Sequence, residues 1–265
     1  MRFRRASSAT LGAMFVAASA ALAAPPAHAA PAQTAEYVAL GDSYSSGSGA
    51  GDYSDAACTR SRNAFPAKWA EANSPGAFTF AACGGATIPT VEADQLSALG
   101  PDTSLVSITV GGNDSGFATT MLACRYFSDR FCQYVIDDGG EFIENELPGE
   151  LDDLYAAIAE RAPQAEVVVL GYPYLYATGG SCDAGGISAA ERQMLKEGSD
   201  GLNEAIAGRA AAAGFAFADA RPAFAGHEIC TADPWISESN LHPTAEGHAG
   251  GYLPAMTAAI DQPGA

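Results

Sequence analysis

The chain has 265 residues, enough for one medium-sized domain with a substantial core, and it is 48% hydrophobic and 17% charged, which excludes a disordered polymer. Thirteen basic residues against 31 acidic ones leave a net charge of −18. Such a surface repels phosphates, so nucleic acid and anionic membranes are disfavoured as partners; the acidity fits solubility outside the cell and names no substrate.

The N-terminus reads as a targeting segment. Arg2, Arg4 and Arg5 form a basic start, an Ala-rich apolar stretch follows over 9–24, and Ala27-His28-Ala29 supplies the small residues a signal peptidase accepts. The stretch is too short to cross a bilayer comfortably, so an uncleaved anchor is the weaker reading. Residues 1–29 are therefore expected to be a cleaved signal peptide and 30–265 a single secreted domain, monomeric and without stable membrane insertion. No acidic residue precedes residue 30, so cleavage takes the charge to 10 − 31 = −21.

A strand-like run at 37–40 opens the domain and leads into Gly41-Asp42-Ser43-Tyr44-Ser45-Ser46-Gly47. A serine placed there stands at the edge of a sheet, and its own N–H can face the same cleft and help hold an oxyanion. Small residues after a strand are also ordinary turn chemistry, and glycines can cradle a phosphate. Neither the lysine of a P-loop nor the spacing of a dinucleotide fingerprint accompanies them.

A helix is expected at 64–72 and a strand at 78–81. That strand exits into Cys83-Gly84-Gly85-Ala86-Thr87, where the backbone of Gly85 offers a second donor. After a helix at 88–99, the most apolar strand, 105–110, ends in Gly111-Gly112-Asn113-Asp114. Ester hydrolysis passes through a tetrahedral oxyanion that needs preplaced donors, and the Asn113 amide can be one. The bland alternative is a Gly-Asn-Asp turn.

The next helix, 140–161, carries Leu151, Leu154, Tyr155 and Ile158 on one face, a stripe that belongs to the core. A strand at 167–170, a helix at 189–213, a strand at 215–218 and a helix at 244–260 complete the chain. The strands are nearly continuous apolar runs, as in parallel strands covered on both faces. Strands alternating with helices predict a three-layer α/β/α sandwich with a central parallel sheet. Ligands of such sheets bind beyond the carboxyl ends of the strands, where the Ser43, Gly85 and Asn113 loops fall.

A serine nucleophile needs a base. His28 leaves with the signal peptide; His227, His242 and His248 remain. His242, in Leu241-His242-Pro243-Thr244 just before a helix, is expected on a loop with its ring free to reach the cleft. His248 falls inside the helix and His227 beside Cys230, and both read as structural. All six cysteines lie after the signal segment, which in an exported chain argues for three disulfides. The pairing taken is Cys58–Cys83, Cys124–Cys132 and Cys182–Cys230. A metal site is disfavoured, since there is no Cys-x-x-Cys and the histidines are not at ligand spacing.

The Gly41-Asp42-Ser43-Tyr44-Ser45 run, the Gly85 loop, Gly112-Asn113-Asp114 and His242-Pro243 resemble, in order, the four blocks of the SGNH, or GDSL-type, hydrolase superfamily. The six cysteines and the Ser43–Gly47 run are similar to its secreted actinobacterial esterases, lipases and phospholipases. The resemblance implies a flavodoxin-like fold, Ser43 as nucleophile, His242 as base, and an oxyanion hole from Ser43 N–H, Gly85 N–H and the Asn113 side chain. Many members carry an Asp three residues before the His; here that position is Ser239. A Ser43–His242 dyad is therefore expected. A backbone carbonyl in the 237–240 stretch would orient the imidazole, with Ser239 and Asn240 as candidate orienters, ahead of Glu238 or Asp233.

The expected reaction is hydrolysis of carboxylic esters through an acyl-enzyme, with no metal or organic cofactor. Tyr44, Phe117, Phe127, Tyr172, Tyr174, Tyr176 and Trp235 either wall an acyl pocket or pack as ordinary core. Substrates range over small-molecule and lipid esters, with phospholipase and carbohydrate acetyl esterase as alternatives. Two rivals are a non-catalytic, disulfide-stapled binding protein and a phosphate-binding or phosphatase module. The first has no need of all four blocks, and the second lacks metal ligands and basic residues near the glycine loops.

Overall fold

A computed structural model describes residues 35–180, 182 and 185–261 of the chain; the expected signal peptide lies outside them. Strand β1 (Glu36–Gly41) runs straight into a one-turn helix, α1 (Ser43–Ser46). A small hairpin of β2 (Tyr53–Asp55) and β3 (Arg60–Ser61) precedes α2 (Phe65–Asn73), and β4 (Ala77–Phe80) leads to α3 (Ile88–Asp94). After β5 (Thr103–Thr109), three helices follow in succession: α4 (Phe117–Tyr126), α5 (Asp129–Asn145) and α6 (Leu147–Arg161). Then come β6 (Glu166–Leu170), α7 (Ala189–Ala212), β7 (Ala216–Ala218), α8 (Ala245–Gly247) and α9 (Leu253–Asp261).

The main sheet has the order β4-β1-β5-β6-β7, with every neighbouring pair parallel. Among its own members this is the 2-1-3-4-5 order of a doubly wound, flavodoxin-like sheet, whose switch point lies between β1 and β5. Right-handed crossovers then put α3, α6 and α7 on one face and α2 with α9 on the other, in keeping with which helices touch. The central strands are buried almost end to end, as their unbroken apolar runs require. The Leu151, Leu154, Tyr155 and Ile158 stripe is fully buried under α6.

Several boundaries differ from the sequence reading for identifiable reasons. The helix expected at 140–161 is two helices. Pro148 stands in the first turn of α6, where its missing N–H costs nothing, but it cannot continue α5. The helix expected at 88–99 is α through Asp94 and finishes as a 3₁₀ turn at Leu96–Ala98. The helix expected at 244–260 is split by a π turn over His248–Tyr252. There a Cβ on Gly250 or Gly251 would run into the Trp235 or Phe224 ring.

The cysteine sulfurs lie at bonding distance in three pairs, Cys58–Cys83, Cys124–Cys132 and Cys182–Cys230. Among the described residues no helix is long and apolar enough to cross a membrane.

Candidate active site

The turn that carries Ser43 is dictated by its neighbours. Gly41, the last residue of β1, has φ +120°, and a Cβ there would sit 2.4 Å from the Thr109 carbonyl oxygen, so only glycine fits. Buried Gln95 holds this glycine at both ends: its Oε1 accepts from Gly41 N at 2.7 Å and its Nε2 donates to Gly41 O at 2.9 Å. Asp42 then caps α1 by accepting from Tyr44 N, and Gly47 ends the helix in the left-handed region. Ser43 thus starts a helix at the carboxyl end of β1, at the switch point of the sheet.

Its hydroxyl lies 2.8 Å from Nε2 of His242. The other ring nitrogen, Nδ1, lies 2.5 Å from the backbone carbonyl oxygen of Asn240. A carbonyl can only accept, so Nδ1 carries the hydrogen and Nε2 presents its lone pair to Ser43. Burial lowers the pKa of His242 below its ordinary 6.5, partly offset by the bond to Asn240, so the ring is neutral at neutral pH. An imidazole so placed can take the serine proton.

The loop bearing His242 is tied down at several points. Asn240 Oδ1 accepts from His242 N at 3.0 Å, and Leu241, in the left-handed region at φ +61°, donates its N–H to Ser237 O. Tyr44 donates its hydroxyl to Leu241 O at 2.8 Å, and its ring lies 5.1 Å from the His242 ring. The residue next to Ser43 therefore holds the loop that carries His242.

Of the candidate orienters, Asn240 meets the ring, through its carbonyl. Ser239 does not: its hydroxyl pairs with Ser237 Oγ at 2.9 Å. Glu238 extends toward Arg125 and Gly185, and Asp233 faces His227, whose Nδ1 bonds Asp233 O at 2.8 Å. His227 stacks flat on Trp235, with ring centroids 3.5 Å apart. His248 is fully buried, accepts from Phe65 N, and is pushed down to about 3 by burial, so it is a neutral packing residue.

The candidate oxyanion donors converge on the same cleft as Ser43. Gly85 adopts φ +80°, and neither its N–H nor that of Ser43 bonds to a protein acceptor among the described residues. Asn113 gives one amide hydrogen to Ala86 O at 2.9 Å, which leaves the second free and ties the Asn113 loop to the Gly85 loop. Asp114 strengthens that tie, since its Oδ1 accepts from Ile88 N. The bonded Cys58–Cys83 pair and the bond from Gly84 N to Cys58 O anchor the Gly85 loop from the other side.

Around these groups lies a cleft of about 590 Å³. Of the seven loop aromatics, Tyr44, Phe117 and Tyr172 line it, joined by Met121, Leu122 and Leu202; Tyr174 and Tyr176 line a smaller chamber beside it, and Phe127 and Trp235 line neither. Tyr172 does more than wall the cleft. Its hydroxyl donates to Asp42 Oδ2 at 2.5 Å and accepts from Gly112 N at 3.1 Å, coupling the serine turn to the Asn113 loop.

Asp42 is fully buried and also accepts from Thr109 Oγ1 at 2.6 Å. Burial pushes its carboxyl up to about 6, against the three donors that favour the ionised form. Neither role was readable beforehand, because the two residues stand 130 positions apart and no local pattern links them.

The profile of the GDSL-like lipase/acylhydrolase family matches residues 39–249, which takes in the serine turn, both donor loops and His242. The chain belongs to this family. Like other members of the GDSL-like group, it is an ester hydrolase. Lipase 1 of Streptomyces coelicolor is 46% identical over 260 residues, covering 94% of this chain and 96% of that one. The crystal structure of an extracellular lipase from Streptomyces rimosus matches with a TM-score of 0.82 at 46% identity, over 85% of this chain and 99% of that one. A phospholipase A1 structure from Streptomyces albidoflavus NA297 matches with a TM-score of 0.82 at 45% identity and the same coverage.

Proposed function

We propose that this esterase acts through an acyl-enzyme on Ser43, with His242 as general base and acid and the Asn240 carbonyl as its orienter. The observation that carries this reading is the relay itself: Asn240 O to Nδ1 at 2.5 Å, and Nε2 to Ser43 Oγ at 2.8 Å. His242 takes the hydroxyl proton as Ser43 Oγ attacks the ester carbonyl carbon. The negative charge that develops on the carbonyl oxygen is met by Ser43 N–H, Gly85 N–H and the free Asn113 amide hydrogen. The imidazolium then protonates the leaving alcohol, and a water activated by the same ring releases the acid. A carbonyl fixes the tautomer as a carboxylate would, but supplies less charge to the imidazolium.

A lipid ester fits the site better than an acetylated sugar, because the cleft beside Ser43 is walled by Phe117, Met121, Leu122 and Leu202 and has room for a long acyl chain. Export of residues 30–265 after removal of a signal peptide is part of the same proposal. It is supported by the basic and Ala-rich start and by the extracellular description of the Streptomyces rimosus lipase.

The test is steady-state hydrolysis of p-nitrophenyl butyrate. Ser43→Ala and His242→Ala should each lower kcat by roughly a thousandfold or more, whereas Glu238→Ala should stay within about twofold of wild type. Full turnover by a folded Ser43→Ala variant, or its collapse in a folded Glu238→Ala variant, would overturn the dyad.

A further inference from the structure

The described residues leave six large hydrophobic side chains at least two-fifths exposed, and five of them, Leu122, Tyr126, Phe127, Phe131 and Tyr134, fall within one stretch at the α4–α5 tip. The tip is rigid. Ser128 caps α5 by accepting from Phe131 N, and the bonded Cys124–Cys132 pair staples the two helices across the turn.

Three of the rings form a ridge, with Phe127 and Phe131 5.1 Å apart and Phe131 and Tyr134 6.2 Å apart, and Tyr126 and Leu122 precede it on α4. Exposures of 57, 67, 64, 42 and 63% make a patch on the order of 500 Å², the size of the largest patch a monomer leaves to water, which is often a functional one. It begins at the catalytic cleft, because Leu122, Arg125 and Tyr126 also line the cleft wall.

We propose that this ridge docks the enzyme on the surface of a zwitterionic phospholipid bilayer, with the cleft facing the lipid. The inference rests on the ester-hydrolase reading of that cleft. Phe rings suit the acyl boundary, whereas tyrosine hydroxyls and guanidinium groups suit a headgroup layer better than a bare oil surface. Residues 122–134 hold Arg125 and Arg130 against Asp129, and Glu238 extends toward Arg125, so the tip is close to neutral in a mature chain of −21. The acidic remainder repels a strongly anionic membrane and so selects a zwitterionic one. A stapled tip presents the rings in water without a prior conformational change.

The test separates docking from chemistry. In a Ser43→Ala background, which cannot consume lipid, co-sedimentation with phosphatidylcholine vesicles is compared with and without Phe127→Ser, Phe131→Ser and Tyr134→Ser together. None of these three residues lines the cleft. The triple change should lower the vesicle partition coefficient at least tenfold. In the Ser43 protein it should leave hydrolysis of dissolved p-nitrophenyl acetate within about twofold. A second variant, Phe127→Trp, keeps the apolar surface and should shift its added emission to the blue on mixing with vesicles. Unchanged partition of a folded triple variant, or no emission shift for Phe127→Trp, overturns the proposal. So does a wild-type dimer in size-exclusion chromatography that the triple change dissociates without altering partition. A protein that binds vesicles through the ridge but hydrolyses no soluble ester would sink the acyl-enzyme reading and leave the docking surface standing.

Discussion

Tyr44→Phe isolates the link between the serine turn and the histidine loop. The ring is buried and packs edge-on against Tyr172, with centroids 5.1 Å apart, and against Tyr252 at 6.4 Å, so phenylalanine keeps the volume and the packing. What is lost is the 2.8 Å bond from the hydroxyl to Leu241 O, in a half-buried setting. An acceptor left without its donor costs about 1–2 kcal/mol there, and in a domain of this size that lowers Tm by roughly 2–8 °C. Leu241 is held in the left-handed region, which a leucine does not favour, and the loop relaxes when its tether goes. The Nε2–Oγ contact then lengthens. If the same 1–2 kcal/mol is felt in the transition state, kcat falls about five- to thirtyfold with KM little changed. Steady-state kinetics on a soluble ester beside differential scanning calorimetry measure both effects. A lower Tm with kcat unchanged would show the hydroxyl to be a packing element only, and no change in either would refute the tether altogether.

The remaining predictions concern the Gly85 loop and pH. Replacing Cys58 and Cys83 by serine opens a loop closed across 25 residues and should destabilise the fold by about 3 kcal/mol, read from urea denaturation, with a fall in kcat as the Gly85 donor loosens. His242 works as a base only when neutral, and burial lowers its pKa, so the acidic limb of the kcat/KM profile should have its midpoint below 6.5. Activity then rises with pH through that midpoint and is level at neutrality; a midpoint above 6.5 would mean that the ring gains a carboxylate partner in solution.

Much of the architecture was legible because the central strands are buried on both faces and so read as unbroken apolar runs at 37–40, 105–110 and 167–170. The doubly wound sheet follows from their alternation with helices, and the placement of Ser43, Gly85 and Asn113 at its carboxyl edge follows from the sheet. The helix breaks were less legible, because they depend on contacts between distant residues: the π turn at His248–Tyr252 exists where Gly250 and Gly251 meet Trp235 and Phe224. At the site, the absence of an acidic residue at position 239 pointed to a carbonyl orienter, but sequence could not choose between Ser239 and Asn240. The backbone path around left-handed Leu241 brings the Asn240 carbonyl against the ring, and the proposed orienter role rests on that contact. The buried Asp42–Tyr172–Gly112 network left no trace in local pattern, since a Tyr-Pro-Tyr loop reads equally well as a pocket wall.

The central claim is that Ser43 is the nucleophile and His242 the group that activates it. It is tested most directly by treating the purified protein with a fluorophosphonate and mapping the adduct by peptide mass spectrometry. The account predicts one adduct, on Ser43, formed rapidly in wild type and in Glu238→Ala and lost in His242→Ala. An adduct on any other serine, or a Ser43 adduct that forms at the wild-type rate without His242, would contradict it.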